Sequence, residues 1–289
     1  MKLGVDVGNY NVNTSEGVMF KASVSSHKDF GSSANKIVLD NKAYYLGDGQ
    51  LEIDYRKYDK SNYMPLLLGA ICMSTNHEEI ELGLGLPLTQ HKNFKTELIQ
   101  LLNKRTFQVN YNGDNRLIHL KRVEVFPEGV ASLIHSYDKL RESIGSRDII
   151  VVDMGGKTTD IALFHNKKVI KSTCINKGTI DVYNEIKLAL EDRYFDVKVN
   201  IDKVQDYLDE GFFYKGDKQD IRFAIKRSND IFKDVYNELK LNYPINSEAV
   251  VLQGGGSSLL GNVFKKKIQG LIIDNDLFAN AKGYRDLLK

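Results

Sequence analysis

The sequence predicts a mixed α/β protein built from two similar lobes. Residues 5–9 (Val-Asp-Val-Gly-Asn) and 152–160 (Val-Asp-Met-Gly-Gly-Lys-Thr-Thr-Asp) each join an apolar run to an acidic residue and a glycine-containing tight turn. The two phrases stand about 147 residues apart in a chain of 289, which is long enough for two lobes with cores of their own. In both halves a strand, this turn and a hairpin come first, and helices follow. The repetition is the specific signal, because a single Asp-x-Gly is more often an ordinary hairpin turn.

The acidic residue and the glycine of each turn suit a phosphate-bearing ligand with its metal ion. A tight glycine turn directs backbone N–H groups inward, where they can bind phosphate oxygens. Asp6 and Asp153, beside the turns, are expected to hold Mg²⁺ from opposite sides, chiefly through waters that this ion retains. The pair of turns therefore predicts two lobes closing on one nucleotide. The expected phosphate contacts are Gly8, Asn9, Tyr10 and Asn11 in the first turn, and Gly155, Gly156, Lys157, Thr158 and Thr159 in the second.

The first lobe is expected to span residues 1–147, with a small subdomain inserted at about 31–60 and 89–120. Alternating apolar residues mark its strands, whereas an apolar spacing of three or four marks its helices. The expected strands are 2–7, 12–20, a hairpin within 37–46, 79–86, 106–111 and 116–125, the last two joined by an Asn-Gly turn. The expected helices are 61–75, 94–102 with Phe94, Leu98, Leu101 and Leu102 on one face, and 128–140.

The second lobe is expected to span residues 148–289 and to begin with the strongest strand of the chain, at 149–152. Residues 191–219 are polar and irregular, which predicts a small subdomain at about 191–220. The other expected strands are 160–164, 168–174 and 249–252, and the expected helices are 179–190, a single long amphipathic helix at 221–241, and those that finish the chain. Because no Pro/Ser-rich linker separates the halves, we expect the lobes to be packed together and hinged.

The composition of the chain and the motifs that it lacks exclude several classes of protein. The net charge of +2 gives no general bias toward nucleic acid or acidic membranes, and the basic runs at 167–168 and 265–267 are most simply solvated faces. Cys72 and Cys174 are isolated, which fits two buried thiols in a reducing cytosol. There is no signal-peptide pattern, and the longest apolar stretch, 64–73, is too short to cross a bilayer. The P-loop, the dinucleotide-binding and the metal-binding Cys/His patterns do not occur. We therefore expect a cytoplasmic protein with no membrane contact and no direct contact with DNA.

Two further features have more than one interpretation. Glu128 follows a strand where a helix is expected to start, so its carboxylate can orient an attacking water. On position alone, an acidic residue favoured there by the helix dipole is the better interpretation. Gly254, Gly255 and Gly256 follow a buried strand and would let the backbone approach a flat ligand closely. A plain strand-to-helix loop explains these glycines about equally well.

Several segments together resemble the actin/Hsp70/sugar-kinase superfamily and, within it, the bacterial actin-like plasmid-segregation proteins of the ParM/StbA type. The similar segments are residues 3–9 (phosphate 1 motif), 123–129 (connect 1), 150–160 (phosphate 2), 250–256 (adenosine motif), 280–284 (connect 2 helix) and 85–89 (the Leu-Pro-Leu stretch of ParM-type proteins). The resemblance implies an actin-like ATPase fold, with two duplicated ribonuclease-H-like lobes and a nucleotide cleft between them. It also implies a C-terminal helix that returns to the first lobe.

The resemblance assigns roles to the candidate residues. Glu128 and Asp153 are expected to be catalytic, Asp153 also holds Mg²⁺ with Asp6, and the three glycines 254–256 contact the nucleotide, which is ATP or GTP. One position departs from the family, which usually has a lysine where this chain has Asn13. We hypothesise that Lys157 supplies the missing phosphate contact.

The implied function is a polymerising ATPase. It would form filaments of copies of itself with Mg²⁺–ATP and move plasmid DNA through a separate DNA-bound adaptor of the ParR type. A small-molecule kinase on the same scaffold is the main alternative, but it needs a second carboxylate as base and a substrate pocket, for which no distinct motif is found. A non-hydrolysing cell-shape or division actin is a third possibility. Membrane-docking members of that class tend to carry an amphipathic tail, and here a packed connect-type helix explains residues 276–289 better.

Overall fold

A computed structural model of the chain describes residues 1–52, 57–166 and 168–289. Lys167, part of one basic run, and residues 53–56 of the predicted inserted subdomain lie outside the described residues. The strands of the first large sheet are β1 (Lys2–Val7), β2 (Asn11–Thr14), β3 (Met19–Lys21), β4 (Ser23–Ser25), β5 (Lys36–Leu39), β6 (Lys42–Leu51), β7 (Glu79–Leu86), β8 (Thr106–Tyr111) and β9 (Asp114–Pro127). The strands of the second are β10 (Ile149–Met154), β11 (Thr159–His165), β12 (Lys168–Ile175), β15 (Ala249–Gln253) and β16 (Ile272–Ile273). A small separate hairpin consists of β13 (Phe212–Tyr214) and β14 (Asp217–Gln219).

The described helices cover the faces of these sheets. They are α1 (Tyr63–Ser74), α2 (Leu88–Leu102), α3 (Val130–Ile144), α4 (Thr179–Arg193), α5 (Val204–Asp209), α6 (Arg222–Arg227), α7 (Asn229–Asn242), α8 (Ser257–Lys265) and α9 (Ala279–Leu287), with 3₁₀ turns at Lys57–Asp59 and Ile201–Lys203. Among the described residues no helix combines the length and the hydrophobicity needed to cross a membrane. Cys72 is buried as expected, whereas Cys174 is partly exposed, and both are free thiols.

The two large sheets share one plan. In the first, β2 and β3 continue antiparallel from β1, and β7 and β9 pair in parallel on its other side. In the second, β11 and β12 continue antiparallel from β10, and β15 and β16 pair in parallel on its other side. The strand order is therefore the same in both halves, as the repeated phrase predicts. The first sheet is then extended beyond β9 by β8, β5, β6 and β4.

Two helices join the halves, because each packs on the sheet of the other half. Although α3 ends the first half of the chain, Leu133, Leu140 and Ile144 share an apolar cluster with β10, β11 and β15 of the second sheet. The last helix, α9, contacts β1 and β7 of the first sheet and also contacts α3. Gly4 allows this approach, because a Cβ there would lie 1.8 Å from the carbonyl oxygen of Ala281.

Some predicted element boundaries are wrong in the first half. The single strand expected at 12–20 is a pair, β2 and β3, joined by a turn. The helix expected at 94–102 begins at Leu88. Pro87 is its N-cap: the missing N–H of the proline costs no helical hydrogen bond there, and its carbonyl oxygen accepts the N–H of His91 at 2.8 Å. Leu101, expected on the apolar face of that helix, is 45% exposed, whereas Leu98 and Leu102 are fully buried.

Two later helices also differ from the prediction. The helix expected at 128–140 begins at Val130, because Gly129 adopts a φ of 74° that interrupts helical geometry. The long helix expected at 221–241 is two helices, α6 and α7, separated at Ser228. The buried hydroxyl of Ser228 donates to the carbonyl oxygen of Ile225 at 2.8 Å, which competes with the helical hydrogen bond to that carbonyl.

Candidate active site

The two glycine turns have the same internal hydrogen bond. The N–H of Gly8 donates to the carbonyl oxygen of Asn11 at 3.0 Å, and the N–H of Gly155 donates to that of Thr158 at 2.9 Å. Each turn follows the end of the first strand of its sheet and leads into the antiparallel partner strand. The turns also face each other closely, since a Cβ on Gly156 would lie 3.2 Å from the backbone nitrogen of Tyr10. The sequence repeat is thus a repeat in three dimensions.

A cleft of about 350 Å³ lies between the turns. This volume is within the range of small-molecule sites. The sequence-predicted residues that line it are Asp6, Gly8, Asn9, Tyr10, Asn11, Glu128, Asp153, Gly155, Gly156, Lys157, Thr158, Gly254 and Gly255. Thr159 and Gly256 do not line it. Thr159 is fully buried and donates to the carbonyl oxygen of Lys177 at 2.8 Å, while the N–H of Gly256 donates to that of Met154 at 3.0 Å.

Six carboxylates line this cleft: Asp6, Glu128, Asp153, Asp160, Asp209 and Asp276. Burial raises the pKa of Glu128 to about 8, an effect that Lys57 opposes and Asp6 reinforces. Burial also raises the pKa of Asp160 to about 7, and it raises the pKa values of Asp6 and Asp153. Because Glu128, Asp153 and Asp160 also experience the negative charge of neighbouring carboxylates, the cleft favours a cation that enters it.

Lys57 reaches this cluster from the 3₁₀ turn that precedes α1. Its Nζ lies 2.5 Å from Oε1 of Glu128 and 3.8 Å from Oδ1 of Asp6. Burial disfavours its charge, but the attraction of Glu128 and Asp6 holds the pKa of Lys57 above its ordinary value. Sequence reasoning missed this residue because it belongs to no motif and lies far along the chain from its partners.

Glu128 occupies the short link between β9 and α3. Its backbone N–H donates to the carbonyl oxygen of Leu86 at 2.9 Å, which continues the parallel pairing of β7 with β9. The residue lies before the first turn of α3, and its buried carboxylate accepts a hydrogen bond from Lys57. This carboxylate is therefore directed into the cleft.

Asp153 is held by the side chain of Asn280, and a glycine passes close to it. Asn280 Nδ2 donates to Oδ2 of Asp153 at 3.1 Å, and Oδ1 of the same Asn280 accepts from the N–H of Gly129 at 3.1 Å. Gly254, at a φ of 83°, passes so close that a Cβ there would lie 2.4 Å from Oδ1 of Asp153. Glycine is needed at this position both for its backbone conformation and for the space.

The polar groups of the cleft fit a hydrated magnesium ion. Oδ1 of Asp6, Oδ1 of Asp160 and Oε1 of Gln253 are buried and accept no hydrogen bond from the residues that the structure describes. Within the same described residues, no three His, Cys, Asp or Glu side chains are close enough together to hold a metal directly. Mg²⁺ is usually bound by one or two carboxylates, by waters and by substrate phosphates, so a two-carboxylate site suits it.

The second half supplies one wall of the cleft with polar and aromatic side chains. The rings of Tyr10 and Tyr183 meet edge to face across the cleft, with centroids 5.4 Å apart. The hydroxyl of Tyr183 donates to Oε1 of Gln205, whose Nε2 donates to Oδ2 of Asp209 at 2.8 Å. Opposite them, Asn13 Nδ2 donates to the carbonyl oxygen of Leu277 at 3.1 Å.

Comparison with known proteins gives two family matches that together cover most of the chain. The description "Actin like proteins N terminal domain" matches residues 4–130, and "Archaeal actin homologue MreB-like, C-terminal" matches residues 151–266. Among proteins with curated descriptions, none matches this sequence significantly.

Solved structures of actin-like proteins have the same fold. An archaeal actin homologue, Ta0583, in complex with ADP superposes with a TM-score of 0.83 at 19% identity, covering 99% of this chain and 98% of that chain. A 15-stranded ParM filament from Clostridium botulinum has a TM-score of 0.82 at 24% identity, covering 99% and 97%. An Alp12 filament has a TM-score of 0.70 at 20% identity, covering 99% and 97%. The predicted fold class, a two-lobed actin-like ATPase fold, is therefore confirmed.

Proposed function

This chain belongs to the actin-like proteins, and on that premise we propose that it is a nucleoside triphosphatase that assembles with copies of itself into filaments. ATP or GTP binds with Mg²⁺ in the cleft between two lobes, residues 1–147 and 148–289, which carry the small subdomains predicted at about 31–60, 89–120 and 191–220. The filament moves plasmid DNA in the cytoplasm through a DNA-bound adaptor of the ParR type. The near-neutral net charge of +2 agrees with an indirect contact to DNA.

One observation carries the proposal: two equivalent glycine turns, each with an acidic residue beside it, line the same cleft. Cleavage of a γ-phosphate needs positioning, an aligned water and neutralisation of developing charge, and little covalent chemistry by the protein. Backbone N–H groups of the two turns, which begin at Gly8 and Gly155, can donate hydrogen bonds to a phosphate chain from both sides. A bound Mg²⁺ would supply the neutralising charge.

Each candidate residue has a proposed task. Asp6 and Asp153 hold the metal through its waters, and Asn280 keeps the second carboxylate oriented. Glu128 accepts a hydrogen bond from the attacking water and aligns it with the terminal phosphate. The first-turn contacts are Gly8, Asn9, Tyr10 and Asn11, and the second-turn contacts are Gly155, Gly156, Lys157 and Thr158. Gly254 and Gly255 face the nucleoside, while Thr159 and Gly256 act indirectly by fixing the backbone beside the cleft.

Self-assembly is supported by proteins of the same fold. The ParM of Clostridium botulinum and Alp12 were both solved as filaments. Their sequence identities to this chain are 24% and 20%, so the filament and its plasmid cargo are part of the proposal. The ParR-type adaptor follows from the ParM-type motifs of the sequence.

The test is right-angle light scattering of the purified protein after addition of Mg²⁺–ATP, with phosphate release followed in the same cuvette. We expect scattering to rise above a critical protein concentration, with phosphate appearing together with it or later. Mg²⁺–ADP and ATP with a chelator serve as controls and are expected to give no assembly. A parallel series with GTP identifies the preferred base.

Other outcomes would point to the alternatives. Phosphate turnover without scattering at any concentration, especially if it depends on a small-molecule acceptor, would replace the filament by a kinase. Scattering without any phosphate release would indicate a non-hydrolysing scaffold.

A further inference from the structure

The cleft has a large excess of negative charge for a site that must accept a triphosphate. Its six carboxylates, among them Asp6, Glu128, Asp153 and Asp160, face a ligand that is itself highly anionic. Asn13, on the strand that follows the first turn, is neutral and uses its amide to bind the carbonyl oxygen of Leu277. Some protein cation must therefore help to hold the phosphates.

Two lysines line the cleft among the residues that the structure describes, Lys57 and Lys157. The side chain of Lys157 is 38% exposed and its Nζ lies 3.6 Å from Oδ1 of Asp181. The other oxygen of Asp181 accepts the backbone N–H of Gly178 at 2.9 Å, which ties it to the start of α4. Because water screens an exposed pair of this kind, Lys157 offers a weak field to a phosphate.

Lys57 is in a different environment. Its side chain is 8% exposed, and its partners Glu128 and Asp6 have side chains that are 10% and 15% exposed. A lysine is seldom buried unless it is paired, and here it is paired with the carboxylate proposed to align the water and with one proposed to hold the metal. Its ammonium group is thus within reach of the place where a terminal phosphate must lie for Glu128 to act.

We propose that Lys57 is the phosphate-binding cation of this cleft, and that its move from Glu128 to the terminal phosphate of a bound nucleoside triphosphate frees the Glu128 carboxylate to orient water. In the structure the Lys57 ammonium group and the Glu128 carboxylate are paired with each other. A diphosphate lacks the γ-phosphate that would attract Lys57, so the pair with Glu128 persists and the cleft distinguishes triphosphate from diphosphate. This inference rests on the proposed function of the cleft.

The test is calorimetric binding of Mg²⁺–AMPPNP and of Mg²⁺–ADP to the full chain and its variants. Lys57→Met keeps most of the aliphatic stem and removes the charge. Because a charge-assisted hydrogen bond to phosphate is strong, we expect affinity for AMPPNP to fall about 10- to 100-fold and affinity for ADP to fall less than about threefold. Lys57→Arg is expected to restore most of the preference for the triphosphate.

Matched variants separate this role from a general effect of charge. Lys121→Met removes a lysine on β9 that is 52% exposed, pairs with Glu79 and does not line the cleft. This variant should leave both affinities unchanged. Lys157→Met tests the competing lysine. Loss of the triphosphate preference in Lys157→Met with its retention in Lys57→Met would overturn the inference, as would an equal loss for both nucleotides in Lys57→Met.

Folding is controlled separately. Lys57→Met leaves Glu128 buried without its cation, so thermal unfolding by circular dichroism accompanies each titration. The double variant Lys57→Met/Glu128→Gln removes both charges together. If the single variant unfolds, the double variant is titrated with both nucleotides in its place. A wild-type chain that binds neither nucleotide would refute the proposed function itself, whereas normal wild-type binding with an unchanged ratio in the variants would refute only the role of Lys57.

Discussion

At the scale of single residues, the cleft concentrates carboxylates that an ordinary core would exclude. Burial raises the pKa values of Asp6, Glu128, Asp153 and Asp160, which means that the nucleotide-free site opposes their full ionisation. Such arrangements lower stability and persist where function needs them. Glu128 illustrates the limit of sequence reasoning, because its position alone favoured a helix-start residue, and only family motifs favoured a catalytic carboxylate.

Glu128→Gln tests this carboxylate directly. Since an amide of the same shape cannot accept a hydrogen bond from water as strongly as a carboxylate, we expect phosphate release to fall about 10²- to 10⁴-fold. Nucleotide binding should persist, and assembly measured by light scattering should continue with slower disassembly. The control is Glu124→Gln on the preceding strand, β9, where the side chain is 29% exposed and pairs with Arg122. Equal rates of phosphate release in wild type and Glu128→Gln would remove Glu128 from the mechanism.

At the scale of elements, the most constrained contact is that of α9 with the first sheet. Gly4 in β1 and Gly83 in β7 present bare backbone to this helix, and an added Cβ would lie 1.8 Å from Ala281 O and 2.7 Å from Tyr284 O respectively. Interiors are packed densely enough that neither backbone can move far to make room. The sequence revealed the helix by its similarity to a connect 2 segment, but the surface on which it packs depends on residues far away in the chain.

Gly4→Ala is therefore expected to destabilise the protein although alanine is small. Overpacking against backbone costs about 1–3 kcal/mol and sometimes more, so the denaturant midpoint should fall markedly. Gly255→Ala is the matched control, because a Cβ there meets nothing within 4 Å, and its midpoint should equal that of wild type in the absence of nucleotide. A Gly4→Ala protein as stable as wild type would mean that α9 does not pack on β1 in solution as it does here.

At the scale of the whole molecule, side-chain contacts join the two halves near the cleft. Nζ of Lys21 on β3 lies 2.7 Å from Oδ2 of Asp202, which is in the 3₁₀ turn Ile201–Lys203 of the second half. Asp202 is largely buried, and its other oxygen has no hydrogen-bond partner among the described residues. Together with the Tyr10–Tyr183 ring contact, this pair bridges the two halves near the cleft. We expect the cleft to open more easily when either contact is weakened.

Weakening this bridge should accelerate nucleotide release. We expect Lys21→Met and Asp202→Asn each to raise the dissociation rate of a fluorescent nucleotide about two- to tenfold, in stopped-flow displacement experiments. Lys203→Met is the control, since Lys203 is 62% exposed and pairs with Asp206 within the second half. If all three variants release nucleotide at the wild-type rate, the bridge does not limit opening.

The sequence by itself determined the fold class, the repeated turn, most strands and nearly the whole set of turn residues that line the cleft. These features are local, because strand periodicity, glycine turns and acidic residues beside them are encoded within a few neighbouring positions. Only the tertiary structure decided that α2 starts at Leu88, that Ser228 divides a helix, and that Thr159 and Gly256 stay off the cleft surface. It also brought Lys57 to Glu128 and Lys21 to Asp202. Such pairs join distant segments of the chain, and the packing of whole sheets and helices determines how close these segments come. No local sequence pattern predicts these pairs.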